Sequence, residues 1–228
     1  MAKITALRFS RTYGERVRVS LEGAPDFSLQ AEVVVHENLK VGQEIADDRI
    51  EVLKKRDLCE RCYYAAAHYL SFRPRSETEL KERLTKRGFD SSSIRTVISR
   101  LKDQGLLDDQ AFARFWVDNR TRLGPRSRWL IGRELKQKGI SSEAIDRAVD
   151  TLDDAEAAYN AAASRASRLA GADYESFRIR LGQYLRRRGF GYGVIKETTV
   201  RLWQEVNMEN PSSADNQECL ITTPHERK

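Results

Sequence analysis

A chain of 228 residues with 40% apolar and 32% charged content can bury more than one small core, and its charge load suits a surface-rich, elongated molecule better than one sphere. The net charge of +6 points to an anionic partner, nucleic acid first. No apolar run approaches the roughly 20 residues of a membrane helix, the start lacks an apolar signal core, and Cys59, Cys62 and Cys219 are an odd set for a disulfide framework, so a cytoplasmic protein is expected.

Residues 4–9 and 16–21 alternate as strands do, through Ile4, Leu7 and Phe9 and then Val17, Val19 and Leu21, with Gly14 as a turn signal between them. A third extended run, Phe27 to Val35, follows Gly23-Ala24-Pro25-Asp26, so residues 1–43 are expected to form a small antiparallel β element. A few short strands are marginal alone and must pack on something. From about residue 44 the pattern is helical. Pro74 and Pro125 stand just before expected helix starts, where proline is tolerated. Residues 208–228 have no periodicity and few apolar side chains, and a disordered tail is expected there.

Internal repetition organises the middle of the chain. Leu80…Leu84…Gly88-Phe89, Ile131…Leu135…Gly139-Ile140 and Leu181…Leu185…Gly189-Phe190 share one register, and Ile94, Ile145 and Ile195 continue it, as do Leu101, Leu152 and Leu202. The glycines end a helix because they reach the left-handed conformation without a Cβ clash. Polar stretches such as Ser91-Ser92-Ser93 and Ser141-Ser142-Glu143 are expected to cap the helix that follows. Ser76-Glu77-Thr78-Glu79 reads as a capping box. Upstream of each glycine-ended helix lies another, carrying Tyr63, Ala67 and Leu70, then Phe112, Phe115 and Trp116, then Tyr159, Ala162 and Ala166. The expected fold is therefore mainly α, an elongated tandem array of three three-helix repeats: a linker helix and repeat one over 44–108, repeat two over 109–156 and repeat three over 157–207. Gly88, Gly139, Gly189, Leu84, Leu135 and Leu185 are its structural signature.

Basic residues concentrate in two runs. Arg120, Arg122, Arg126, Arg128, Arg133, Lys136 and Lys138 face Glu134 alone, and Arg178, Arg180, Arg186, Arg187 and Arg188 lie in an acid-free stretch. Such stripes can track a phosphate backbone. Trp129, among arginines, is a candidate for an interface, whereas Phe112, Phe115 and Trp116 suit a core. Asp108 and Asp109 are expected to cap a helix near Gln110, while Asp146, Asp150, Asp153, Asp154 and Glu156 could meet basic surface on a protein partner. No phosphate-loop, zinc-protease or nucleophile-elbow motif is present, and the Cys59/Cys62 pair sits in a helical run without a second pair, so neither catalysis nor a metal is expected.

One segment joins the repeat register to a motif: Gly105-Leu106-Leu107-Asp108-Asp109-Gln110-Ala111-Phe112-Ala113-Arg114, continuing through Asn119-Arg120, Gly124 and Glu134-Leu135-Lys136-Gln137-Lys138-Gly139-Ile140. Over residues 58–207 the chain resembles the RecX regulatory-protein family, departing where Trp129-Leu130 stands in place of an expected basic residue. The resemblance implies a non-enzymatic protein without cofactors that binds the RecA recombinase filament on single-stranded DNA (or duplex DNA). It also implies inhibition of the filament's ATP hydrolysis, strand exchange and co-protease activity. A monomer without membrane contact is expected. A helix-turn-helix transcription regulator, dimerising on two half-sites, and a protein-only helical scaffold are the alternatives.

Overall fold

The structure, a computed structural model, describes residues 1–10 and 16–209. They fall into two compact units, Met1–Phe112 and Ala113–Lys228. Gly14, Cys219 and the expected tail beyond Glu209 lie outside the described residues.

The first unit opens with β1 (Ala2–Ser10), β2 (Arg16–Leu21) and β3 (Phe27–Gln30), followed by α1 (Ala31–His36), β4 (Glu44–Ile45) and α2 (Asp47–Phe72). The strands make one antiparallel sheet in the order β3-β2-β1-β4. Ile4, Val19 and Leu29 on its covered face pack with Val33 and with Ile50 and Leu53 of α2. The third extended run is shorter than expected. Gln30, the last residue of β3, lies opposite Arg16, the first residue of β2. Residues 31–36 turn into a helix instead and bury the adjacent pair Val33 and Val34, which a strand would send to opposite faces. The expected lead into helix at Glu44-Ile45 is also a strand, paired with Lys3 and Ala2.

Helix α2 serves two cores. Near its middle Asp57 is buried and ties helix to sheet, accepting from the Gln30 N–H at 2.6 Å and from Arg16 at 3.1 Å. Beyond it, Cys62, Ala65 and Ala66 pack with Leu80 and Leu84 of α3 (Glu77–Lys86) and with Ile94, Val97, Ile98 and Leu101 of α4 (Ser91–Asp103). The buried face is thus offset from the expected Tyr63, Ala67 and Leu70, which are only half-buried. Each fully buried Leu, Ile or Val contributes roughly 1.5–3 kcal/mol. Ser76 caps α3, its Oγ accepting from the Glu79 N–H at 3.1 Å. Asp90, not the serine run, caps α4: its carboxylate accepts from the N–H groups of Ser92 and Ser93. Burial pushes the Cys62 thiol up to about 11, the opposite of what a redox nucleophile needs.

The division between the units falls within α5 (Asp109–Leu123), which is followed by α6 (Arg128–Gln137), α7 (Ser142–Val149), α8 (Asp154–Ser167), α9 (Tyr174–Arg187) and α10 (Tyr192–Glu209). Ile131, Leu135, Ile140 and Ile145 are buried in α6, α7 and the turn between them. Leu152 departs from the register: α7 stops at Val149, and Leu152 is half-buried in the turn beyond it, where Leu101 and Leu202 are buried in helices. The third core joins Ala158, Ala162 and Ala166 to Phe177, Leu181, Leu185 and Leu202. Small residues on α8 let α9 and α10 approach closely. Met208 and Glu209, placed in the tail by the sequence, complete α10. The whole is mainly helical, with three-helix repeats in tandem after a small sheet.

A candidate nucleic-acid interface in the second unit

Helix α6 begins at Ser127, whose Oγ accepts from the Leu130 N–H at 3.2 Å. The N–H of Arg128, one residue on, donates to Asp154 Oδ1 at 2.7 Å. The N–H of Ser127 itself donates to the carbonyl of Arg188 at 3.1 Å, at the end of α9. The next residue, Gly189, has φ +84°, and a Cβ there would stand 2.7 Å from both Leu130 Cβ and Ser127 Oγ and 3.4 Å from the Trp129 ring. Glycine is therefore required twice over, by backbone conformation and by close approach. This joint sets the start of α6, with Arg126, Arg128 and Trp129, against the end of α9, with Arg186, Arg187 and Arg188.

Glu134 organises the inner side. Its carboxylate accepts from Arg120 Nε and Trp116 Nε1, each at 2.8 Å, and pairs with Arg126. Burial, then the neighbouring Arg120 and Arg188, holds the Arg126 guanidinium below its usual range. Arg120 lies 4.4 Å and Lys138 5.1 Å from the Trp116 ring centroid. Trp116 is thus a half-buried support for cations, and Arg120, Arg126 and Lys138 are engaged within the fold. Arg188 is half-buried over Tyr184 at 4.1 Å, and its Nε is buried with no hydrogen-bond partner among the described residues.

The remaining candidates are exposed. On α6 these are Arg128, Trp129, Arg133 and Lys136; on α9 they are Arg178, Arg180, Arg186 and Arg187; Arg122 lies near the end of α5. Trp129 is 62% exposed, with the Arg133 guanidinium 5.6 Å from its ring centroid. Two of these cations have acid neighbours: Arg128 lies 3.7 Å from Asp150, and Arg178 bonds Glu175 at 3.1 Å. Arg122 borders a shallow depression with Phe115 and Asp118, apart from the joint.

The glycine register superimposes the two basic faces. Shifting α6 by 50 residues places Arg128 on Arg178, Trp129 on Ile179, Gly132 on Gly182 and Lys136 on Arg186. The structure repeats the packing too: a Cβ on Gly132 would stand 3.3 Å from Ile145, and one on Gly182 3.6 Å from Ile195, the same pair one repeat on. The corresponding face of α3 is different. It carries Glu77, Thr78, Glu82 and Thr85, and Glu77 pairs with Lys81 and Lys102.

The acids expected on a partner surface are partly consumed inside the fold. Asp153 caps α8, accepting from the Ala155 N–H at 2.8 Å, and Asp154 holds the Arg128 N–H. In the first unit Asp108 caps α5, accepting from the Gln110 N–H at 2.7 Å, while Asp109 reaches the Glu77 N–H at 2.9 Å. Asp109 and Asp154 therefore do one job: each begins a first helix and secures the start of the preceding middle helix. Burial raises the Asp109 carboxyl above its ordinary range. Sequence reasoning missed this pairing and the role of Glu134. The signals were a lone acid among seven cations and an acid pair opening each of two repeats.

Two family descriptions match this chain: "RecX, first three-helix domain" over residues 62–101 and "RecX, second three-helix domain" over residues 108–149. Regulatory protein RecX of Chlorobium limicola is 33% identical over 139 residues, covering 61% of this chain and 87% of that protein. Regulatory protein RecX of Clostridium botulinum strain Eklund 17B is 29% identical over 202 residues, covering 86% and 94%. A crystal structure of regulatory protein RecX shares the fold with a TM-score of 0.70 at 24% identity, over 88% of this chain and 100% of that one. RecX from Lactobacillus salivarius gives a TM-score of 0.57, also at 24% identity, over 67% and 99%.

Proposed function

Since this chain belongs to the RecX family of regulatory proteins, we propose that it regulates a RecA-type recombinase. It binds the recombinase filament on single-stranded DNA and restrains ATP hydrolysis, strand exchange and co-protease activity. The observation that carries this reading is the basic face repeated in register on α6 and α9 and joined at Ser127 and Gly189. In this reading the exposed Arg128, Arg133, Lys136, Arg186 and Arg187 meet phosphates, and Trp129 stacks on a base or a partner side chain. Regulation of this kind needs no chemistry from the chain. It needs differential affinity for one state of the filament.

The test is recombinase ATPase on single-stranded DNA, titrated with this protein at substoichiometric ratio. The expected result is inhibition before one copy per recombinase subunit is reached. The double variant Arg186→Glu, Arg187→Glu should lose inhibition and show a flatter salt dependence, since each lost phosphate contact lowers the slope by about 0.7 on single strands. Arg188 is left alone because its main chain and ring stacking hold the joint. Unchanged ATPase with the wild-type protein, or equal inhibition by the variant at every salt concentration, would refute the proposal.

A further inference from the structure

Beside the basic face of α9, a groove of about 280 Å³ runs between α9 and α10. Its floor is apolar, from Ile179, Ile195 and the bare backbone at Gly182. None of the residues lining it is acidic, and two cations stand on it, Arg186 and Lys196, neither of which makes an ion pair among the described residues. Arg178 also borders it but is held by Glu175.

Two features of the groove are not accounted for by the packing. Tyr192 opens α10 and is 80% exposed, although a phenol ring is normally at least half-covered in a globular chain. Thr199 is 2% exposed, yet its Oγ1 finds no hydrogen-bond partner among the described residues. A buried hydroxyl left unpaired costs stability, and such a group calls for an explanation. The equivalent position one repeat earlier, Val149, carries no such hydroxyl. By contrast Tyr174, across the groove, is braced edge-on against Trp203 at 5.3 Å between centroids.

We infer that this groove takes one unstacked base of a single-stranded nucleic acid. Tyr192 supplies a stacking face, the apolar floor receives the ring, and the Thr199 hydroxyl and the Gln183 amide meet its polar edge. Arg186 and Lys196 sit against the flanking phosphates. The volume lies at the small end of ligand sites, which start at roughly 300 Å³, and suits a single planar ring. An exposed aromatic beside unpaired cations, in a groove with no acidic lining residue, is the composition that single-strand binders use. The inference rests on the interface proposed above and adds base contact to phosphate contact.

The test compares the full chain bound to labelled oligothymidylate and to an oligomer of equal length made of abasic sites, by fluorescence anisotropy without recombinase. The wild-type protein should prefer the thymidylate several-fold. Tyr192→Ala should weaken thymidylate binding roughly tenfold, within what loss of one stacked base does, and leave the abasic oligomer and the salt slope unchanged. Thr199→Val should weaken thymidylate binding while raising the unfolding midpoint, because it removes an unpaired hydroxyl; a merely structural threonine would raise the midpoint and leave binding unchanged. Equal affinity of the wild type for the two oligomers overturns the inference. So do variants that bind thymidylate normally yet lose the recombinase filament, since the groove then belongs to a protein segment. Recombinase ATPase separates the two proposals: inhibition without base preference sinks the groove alone, and base preference without inhibition sinks the regulatory function alone.

Discussion

Replacing Gly189 with alanine isolates the joint between α6 and α9. Two costs can be worked from the structure. The backbone sits at φ +84°, where a side chain costs roughly 1 kcal/mol relative to glycine. The added methyl would also stand 2.7 Å from Leu130 Cβ and Ser127 Oγ, both of which are fixed on the first turn of α6. Overpacking of that kind costs roughly 1–3 kcal/mol, so the total is about 2–4 kcal/mol. Gly88→Ala is the matched control: φ is +89° but nothing lies within 4 Å of the new Cβ, so only the backbone cost of about 1 kcal/mol applies. Denaturant unfolding followed by tryptophan fluorescence measures the first, because Trp116, Trp129 and Trp203 all lie in the second unit. Far-UV circular dichroism measures the second. Equal losses for the two variants would refute the close approach and, with it, the joint that aligns the basic faces.

Two further outcomes follow from the side-chain networks. Glu134→Gln leaves Arg120 and Arg126 without their shared carboxylate and should destabilise the second unit by about 2 kcal/mol; the same variant should bind single-stranded DNA more tightly with a steeper salt slope in anisotropy titrations, and weaker binding would contradict the placement of the interface. Cys62 makes stability fall in alkali: its folded value, about 11, lies above the unfolded one near 9, so its contribution is complete below pH 9 and is lost as pH rises towards 11. Cys62→Ala should flatten that part of the stability profile, and an unchanged slope would show that the thiol is not buried as described.

Local signals carried most of what was legible. Gly88, Gly139 and Gly189 all have positive φ, and Leu84, Leu135 and Leu185 are fully buried, because helix termination and amphipathic spacing are written within a few residues. What escaped depends on partners far along the chain. The end of β3 at Gln30 falls opposite the start of β2 at Arg16, a pairing set 14 residues away in the chain. Asp57 acts across 27 residues on Gln30 and across 41 on Arg16. The charge runs suffered most. Counted in a window, residues 120–138 look almost uniformly basic, yet Glu134 binds two of those arginines, and Asp150 and Asp154, outside the window, engage Arg128. Proximity in sequence ranked all seven cations alike, and the fold separates those turned to Glu134 from those turned outward.

The distribution of acids explains why a chain with 34 carboxylates and 40 basic side chains can still offer a cationic face. Helix starts favour negative charge, through both unpaired N–H groups and the helix dipole. Asp90, Asp108, Asp153 and Asp173 occupy such starts as caps, and Asp109 and Asp154 secure the starts of neighbouring helices. In the second and third repeats the outward face of the middle helix carries few acids, Glu175 beside Arg178 on α9 being one, while Glu77 and Glu82 stand on that face in the first. Net charge is then a poor guide to the partner, because +6 spread evenly would attract little. Register position is the better guide. A substitution that places a carboxylate at 133 or 183, the equivalents of Glu82, should convert a basic face into one like that of α3 while leaving caps, joint and cores as they are.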